Sequence, residues 1–439
     1  MKPTPLIVEP GPALSGAFTP PGDKSITHRA WLLALLAEGD TQVSGANPGA
    51  DCEGTLHAVQ ALGVSVTGTP EARNLSGLGG RLREPDTVLD CGNSGTTLRL
   101  LAGVLAAQPF LSVLTGDDSL RRRPVARVIE PLRAMGATLF ARDGDRLPPL
   151  AIRGARLAPV RHSLPVASAQ VASCVLLAGL GADGETSVEI PGPARDHTER
   201  MLRAAGVAVV ETALAAGGRR VSVRGPALPR GLRLQVPGDF SAAAFFLAAA
   251  AATPGSRVTA SGVGLNSTRT GLLDVLERMG AKVELSEVRV EAGEEVGNVT
   301  VEGPARLAPF DVPAEWIPRL IDEVPAWTVV ASAATGVSRL AGAAELRVKE
   351  SDRLATLTRN LAALGVRVRE LPDGLEIEGG RVAGGTTRAE GDHRIAMAFA
   401  VLGTRAASAV RIDDAASIAT SYPGFVSTLV ALGGRVGSG

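Results

Sequence analysis

The sequence predicts an α/β protein of two domains, built from six copies of one module of about 70 residues. Three observations predict this. A Gly that closes an amphipathic helical end and opens an alternating stretch recurs six times. A helix-length segment of small apolar residues also recurs six times. Two Pro-Gly crossings divide the chain into two runs of three modules. The length of 439 residues agrees, being too much chain for one compact core.

The Gly junctions read AVQALGVSV around Gly63, PLRAMGATL around Gly136, MLRAAGVAV around Gly206, VLERMGAKV around Gly280, NLAALGVRV around Gly365 and TLVALGGRV around Gly433. Gly suits the left-handed residue that ends a helix, and the alternation after it suits a half-exposed strand. The gaps between successive junctions are 73, 70, 74, 85 and 68 residues. The second recurring segment begins at Ser25, Ser94, Ala167, Asp239, Ile321 and Asp392. It is apolar nearly all round and therefore reads as a buried helix, unlike the amphipathic surface set. Each module thus carries one buried helix, one surface helix and three or four strands.

The first buried helix follows Pro20-Pro21-Gly22 and the fourth follows Val236-Pro237-Gly238. These crossings, near 20–22 and 236–239, set the expected division: residues 1–19 and 239–439 in one domain, 20–238 in the other. A short strand at 4–9 belongs with the C-terminal half.

Composition removes several classes of function. Forty-five basic residues cancel 45 acidic ones, so no basic excess speaks for nucleic acid or an anionic membrane surface. Cys52, Cys91 and Cys174 have neither C-x-x-C nor Cys/His pair spacing, against a disulfide framework or a structural zinc site. The opening MKPTPLIVEPGPALSG has no signal-like apolar core, and the longest apolar run is Ala242 to Ala252, eleven residues and short of a spanning length. A reducing, cytoplasmic compartment is the expectation. Only Lys2, Lys24, Lys282 and Lys349 are lysines, against 41 arginines; where Lys persists, a compact ammonium has a use that a planar fork does not.

The buried helices carry polar residues at their entrances. Asp23-Lys24-Ser25 with Arg29 one turn on places cations where helix amides and dipole favour an anion. Asp90-Cys91-Gly92-Asn93-Ser94-Gly95 opens the next helix with glycines that let backbone approach a ligand. There is no Walker A loop and no strand-linked G-x-G-x-x-G, which lowers nucleotide binding. Arg121-Arg122-Arg123 is a run of three cations; Ser168 and Gln170 begin the third buried helix; Asp322 and Glu323 stand at the fifth; Asp392 and Arg394 open the sixth. Lys349, Glu350 and Arg353 read as neighbours on one helical turn, which alone would be a salt-bridged surface helix. Position decides otherwise, since charges at successive buried-helix entrances are expected to converge where the two domains face each other.

PGDKSITHR, GNSGTT, RRP, SAQV, RDHTERML, ELRVKESDRL, DHRIAM and ATSYPGF, in this order, resemble the 5-enolpyruvylshikimate-3-phosphate synthase family over roughly residues 4–436. SAQV, RDHTERML and ATSYP resemble its class II branch. The resemblance implies a two-domain enolpyruvyl transferase fold of six βαβαββ units, three per domain. It implies transfer of the enolpyruvyl group of phosphoenolpyruvate to the 5-hydroxyl of shikimate 3-phosphate, releasing phosphate, on the way to chorismate and the aromatic amino acids. It also implies no metal and no cofactor, small-molecule substrates as the only partners, and a monomer. Lys24, Ser25, Arg29, Ser168, Gln170, Asp322 and Lys349 match shikimate 3-phosphate contacts. Lys24, Gly95, Arg123, Gln170, Arg353 and Arg394 match phosphoenolpyruvate contacts. Asp322 matches the base for the 5-hydroxyl proton, Glu350 a proton-transfer residue, and Lys24 a catalytic cation. Ala169, Ala194, Glu345 and Thr420 depart from residues common in the family and carry no assigned contact. In the family, glyphosate competes with phosphoenolpyruvate.

The chemistry fits these residue types. Two phosphates and two carboxylates bring about six negative charges together, and like charges 4 Å apart repel by about 4 kcal/mol per pair at an effective dielectric of 20. Lys24, Arg29, Arg123, Lys349, Arg353 and Arg394 offset them. Of the alternatives, the nucleotide-sugar carboxyvinyltransferase branch carries a catalytic Cys on a loop that here reads Thr115-Gly116-Asp117-Asp118-Ser119, so it is rejected. A catalytically silent binding scaffold would not need both Asp322 and Glu350 beside the cations.

Overall fold

The computed structural model describes residues 5–215 and 217–437. Thr4 of the expected first strand and the extreme ends of the expected domain ranges lie outside the described residues. Among these, the strands form six mixed sheets of four. All six repeat glycines have positive φ, between 78° and 112°, as a left-handed helix end requires.

Three modules run strand, buried helix, strand, surface helix, strand, strand. In one of them Leu89–Asp90 lies parallel to Leu111–Thr115, which is antiparallel to Leu147–Arg153, itself antiparallel to Thr138–Ala141. The same pairing recurs from Arg161–Ser163 and from Asp311–Val312. The other three modules borrow a strand from elsewhere in the chain. Asp40–Ser44 takes Arg233–Gln235 as its parallel partner, and Arg257–Gly264 takes Ser15–Phe18. Leu6–Glu9 lies antiparallel to both Val410–Asp413 and Arg435–Gly437 and so completes the last module.

Packing divides the chain into two compact units. A terminal unit takes the chain up to Pro21, Pro237–Arg289 and the chain from Glu295; an inserted unit takes Gly22–Val236 and Val290–Glu294. The terminal unit is built on buried helices Phe240–Ala252, Val324–Ala331 and His393–Gly403; the inserted unit on Lys24–Leu36, Gly95–Ala106 and Ala169–Gly179. Every residue of Phe240–Ala252 is buried. Small residues permit this crowding: a Cβ on Gly103 would lie 2.2 Å from the Cys174 carbonyl oxygen of the neighbouring helix. Trp31 and Trp327 are wholly buried, one in each core, and replacing either by Ala would cost about 3–5 kcal/mol.

The helix starts hold the polar residues because they are capped. Asp23, Ser94, Ser168, Asp239 and Asp392 each accept a first-turn amide with a side-chain oxygen. Among the described residues, no helix is long and apolar enough to cross a membrane.

Candidate active site

In the inserted unit, Lys24 and Ser25 occupy the first turn of helix Lys24–Leu36 behind the Asp23 cap, whose Oδ1 accepts the Ile26 amide at 2.8 Å. The Lys24 ammonium is ion-paired with Asp51, in the first turn of helix Ala50–Ala61. Arg29 lies one turn further in and is 4 % exposed. Its Nε donates to Thr198 Oγ1 (2.6 Å), Nη1 to the Ser25 carbonyl (2.9 Å) and Nη2 to Ser173 Oγ (2.8 Å). It therefore braces three helices beneath Ser25. Burial pulls its pKa down to about 10, while Glu199 and Asp23 act to keep it charged; the nearby Arg195 adds a further cation.

Arg123 folds back onto the glycine-rich turn. Nη1 donates to the Asn93 carbonyl at 2.9 Å, and Nη2 to Asn93 Oδ1 at 2.7 Å and Ser119 Oγ at 2.9 Å. The three-cation run thus splits: Arg123 is buried, whereas Arg122 is exposed and Arg121 bonds the Gly116 carbonyl and Asp118. Ser168 caps its helix, and Gln170 spans two neighbours, accepting from Arg99 Nη1 at 2.8 Å and donating to Thr96 Oγ1 at 3.0 Å. Arg99 also donates to the Gly95 carbonyl at 3.4 Å and the Pro124 carbonyl at 3.1 Å. One buried guanidinium therefore ties together Gly95, Gln170 and the residue after Arg123.

A second buried chain runs Ser94 Oγ to Thr97 Oγ1 (2.7 Å), Thr55 Oγ1 (2.5 Å) and His28 Nδ1 (2.7 Å). Burial, with Lys24 and Arg29 nearby, pushes the His28 pKa well below its ordinary value. The imidazole is neutral, and the chain links the start of the Gly95 helix to the Lys24 helix.

The terminal unit gathers the carboxylates. Asp322 Oδ1 lies 3.4 Å from Arg353 Nη1 and 3.6 Å from Lys349 Nζ, and its carbonyl accepts Arg394 Nη1 at 3.2 Å. Arg353, 1 % exposed, also donates from Nε to Asp392 (2.7 Å) and from Nη2 to Glu350 (2.6 Å). Burial opposes its charge, but Asp392, Glu350 and Asp322 outweigh burial and hold its pKa above the ordinary value.

Local structure here differs from the expected helical turn. Lys349 and Glu350 are not on the helix, which begins at Arg353 because Asp352 Oδ1 takes the N-cap and accepts the Ala355 amide at 3.1 Å. Lys349 ends a short 3-10 turn instead, at Ala344–Val348. The expected helix start at Asp322 also moves: helix Val324–Ala331 has Glu323 at its N-cap position.

The structure brings Lys24, Ser25, Gly95, Ser168 and Gln170 to helix starts of one unit, with Arg29 one turn in and Arg123 folded onto Asn93, and Asp322, Lys349, Glu350, Arg353 and Arg394 into one cluster of the other. The cations do not come free, since Lys24 is paired with Asp51 and Arg353 faces three carboxylates. Asp51, Arg99, Ser173 and Thr198 escaped the sequence reading. Arg99 had a readable signal, a cation one turn into an otherwise apolar helix. Of the departures, Ala194 is buried with its carbonyl accepting Arg219, and Thr420 Oγ1 turns back to the Ser417 carbonyl. Among the described residues, no group of three or more His, Cys, Asp or Glu is placed to hold a metal ion.

Comparison with known proteins places this geometry. Residues 8–429 match the family model described as EPSP synthase (3-phosphoshikimate 1-carboxyvinyltransferase). A 3-phosphoshikimate 1-carboxyvinyltransferase of Anaeromyxobacter sp. (strain K) is 52 % identical, with 99 % of this chain and 98 % of the relative aligned. Its counterpart in Acidithiobacillus ferrooxidans (strain ATCC 53993 / BNL-5-31) is 49 % identical, with 96 % of each covered. A solved structure of EPSP synthase from Acinetobacter baumannii superposes with a TM-score of 0.87 at 41 % identity, covering 99 % of this chain and 100 % of that one.

Proposed function

The chain belongs to the EPSP synthase family, and on that premise we propose how its two polar clusters divide the work of enolpyruvyl transfer. The protein is a 3-phosphoshikimate 1-carboxyvinyltransferase, EC 2.5.1.19. It transfers the enolpyruvyl group of phosphoenolpyruvate to the 5-hydroxyl of shikimate 3-phosphate, giving 5-enolpyruvylshikimate 3-phosphate and phosphate, in the shikimate pathway.

The reaction forms a bond between the 5-oxygen and C2 of phosphoenolpyruvate while the hydroxyl loses a proton and C3 gains one. The tetrahedral intermediate then breaks its C2–phosphate bond, and C3 gives a proton back to restore the methylene. Two proton-handling groups and cations for the departing phosphate are needed. Asp322 takes the hydroxyl proton; its carboxylate lies beside Arg353 and Lys349. Glu350, bonded to the same guanidinium, handles the C3 proton. Lys24, Ser25, Arg29, Ser168, Gln170 and Lys349 hold shikimate 3-phosphate, and Lys24, Gly95, Arg123, Gln170, Arg353 and Arg394 hold phosphoenolpyruvate. Arg29 does so chiefly by fixing Ser25, given that each of its nitrogens already donates within the protein.

The single observation that carries this division is the Asp322–Glu350–Arg353 arrangement: two carboxylates on one buried guanidinium. A reducing cytoplasm suits the three cysteines, which are buried thiols, and we take the working state to be a monomer. The test is phosphate release in the presence of each substrate alone and of both. Release that requires both, with the enolpyruvyl ether identified by mass, is expected; release from phosphoenolpyruvate alone at the same rate would overturn the reading.

A further inference from the structure

Glu323 sits at the N-cap position of helix Val324–Ala331, yet its side chain makes no capping bond. An N-cap side chain normally reaches the second or third amide of the helix; the second residue here is Pro325, which has no amide hydrogen, and Glu323 does not cap the third, Ala326. The Glu323 carboxylate turns sideways instead and accepts from Ser241 Oγ, on the second residue of helix Phe240–Ala252. Ser241 Oγ in turn accepts from Arg269 Nη2 at 2.7 Å, and the same nitrogen lies 3.2 Å from Asp239 Oδ1, the cap of that helix.

All four residues are buried: Glu323 is 1 % exposed, Ser241 and Arg269 2 %, and Asp239 5 %. Burying an Arg with two carboxylates is a weak way to gain stability, because desolvation offsets the attraction, but it fixes geometry. What it fixes is the peptide next to Asp322. On one side Glu323 is anchored to Ser241; on the other the Asp322 carbonyl accepts Arg394 and its carboxylate faces Lys349 and Arg353.

We infer that Glu323, through Ser241 and Arg269, is a positioning residue that holds the Asp322 carboxylate where it can take the substrate proton. The inference rests on Asp322 being the base. Glu323 touches no substrate; it acts by denying the 322–323 turn a second orientation.

The test compares kcat and both KM values for wild type, Glu323→Gln, Asp322→Asn and the double variant. Glu323→Gln keeps the volume and loses the charge. It should lower kcat roughly 10- to 100-fold, the scale of a displacement near 1 Å, with both KM values nearly unchanged. In the Asp322→Asn background the same substitution should change kcat by less than about 2-fold, since there is no base left to misplace. An equal loss in both backgrounds, or no loss in wild type, overturns the inference. Asp322→Asn alone retaining activity within a few-fold of wild type overturns the premise instead, and the two failures are distinguishable. Should Glu323→Gln not fold, Ser241→Ala carries the same comparison, removing the link while leaving both charges in place.

Discussion

Asp322 Oδ1 and Arg353 Nη1 are 3.4 Å apart, and the guanidinium that faces this carboxylate is itself 1 % exposed and bonded to Asp392 and Glu350. One buried cation is therefore shared by three acids. Any group that takes a proton from substrate here does so beside that fixed positive charge.

Removing that cation should be felt in folding as well as rate. Arg353→Gln leaves Asp392, wholly buried, without its guanidinium, and breaking a buried ion pair from one side costs about 3–5 kcal/mol. Denaturant unfolding should show a midpoint shift of that size, whereas Arg122→Gln, at an exposed position, should leave the midpoint unchanged within about 0.5 kcal/mol.

Gly95→Ala acts through a neighbour. A Cβ there would lie 2.7 Å from Arg99 Nη1 and 3.6 Å from Arg123 Nη1, so the Arg99 fork must move off the Gln170 amide it now holds. A lost charge-assisted contact is worth roughly 10- to 150-fold. The inhibition constant for glyphosate should rise by at least about 10-fold, and the KM for phosphoenolpyruvate should rise by less. Both constants measured at one salt concentration decide the matter; an unchanged inhibition constant would remove Gly95 from the site.

Stability should fall in acid through His28. Its folded pKa lies well below the ordinary 6.5, first because it is buried and then because Lys24 and Arg29 are close. Below pH 6.5 the unfolded chain binds a proton at this position that the folded chain refuses, so unfolding is favoured as pH drops. The contribution to the slope approaches roughly 1.4 kcal/mol per pH unit until the folded ring also protonates. Above pH 6.5 both states are neutral there and the contribution vanishes. His28→Asn should show a shallower loss of stability than wild type between pH 6.5 and 5, measured by urea unfolding. Parallel curves would assign the acid sensitivity to other groups.

The repeat was legible because it rests on backbone constraint: a helix end needs a left-handed residue, and Gly at positions 63, 136, 206, 280, 365 and 433 all adopt it. Buried helices were legible for the same kind of reason, since thirteen residues such as Phe240–Ala252 have no polar face to expose. What local pattern cannot give is which partner a side chain finds across the fold. Lys349 and Glu350 have helical spacing with Arg353, but Asp352 captures the cap and ends that reading. Borrowed strands are equally silent: nothing in Leu6–Glu9 says that it lies between Val410–Asp413 and Arg435–Gly437. Nor does the order Asp322-Glu323 reveal that the first faces Arg353 and the second Ser241.

Asp322→Asn, assayed for steady-state rate and, by calorimetry, for shikimate 3-phosphate binding, tests the account most directly. Asn keeps the size and much of the hydrogen bonding but cannot take the hydroxyl proton. Binding should persist within a few-fold while kcat falls by at least about 100-fold, the lower end of a general base's contribution. A variant that binds normally and turns over within a few-fold of wild type would contradict the assignment of Asp322 as the base.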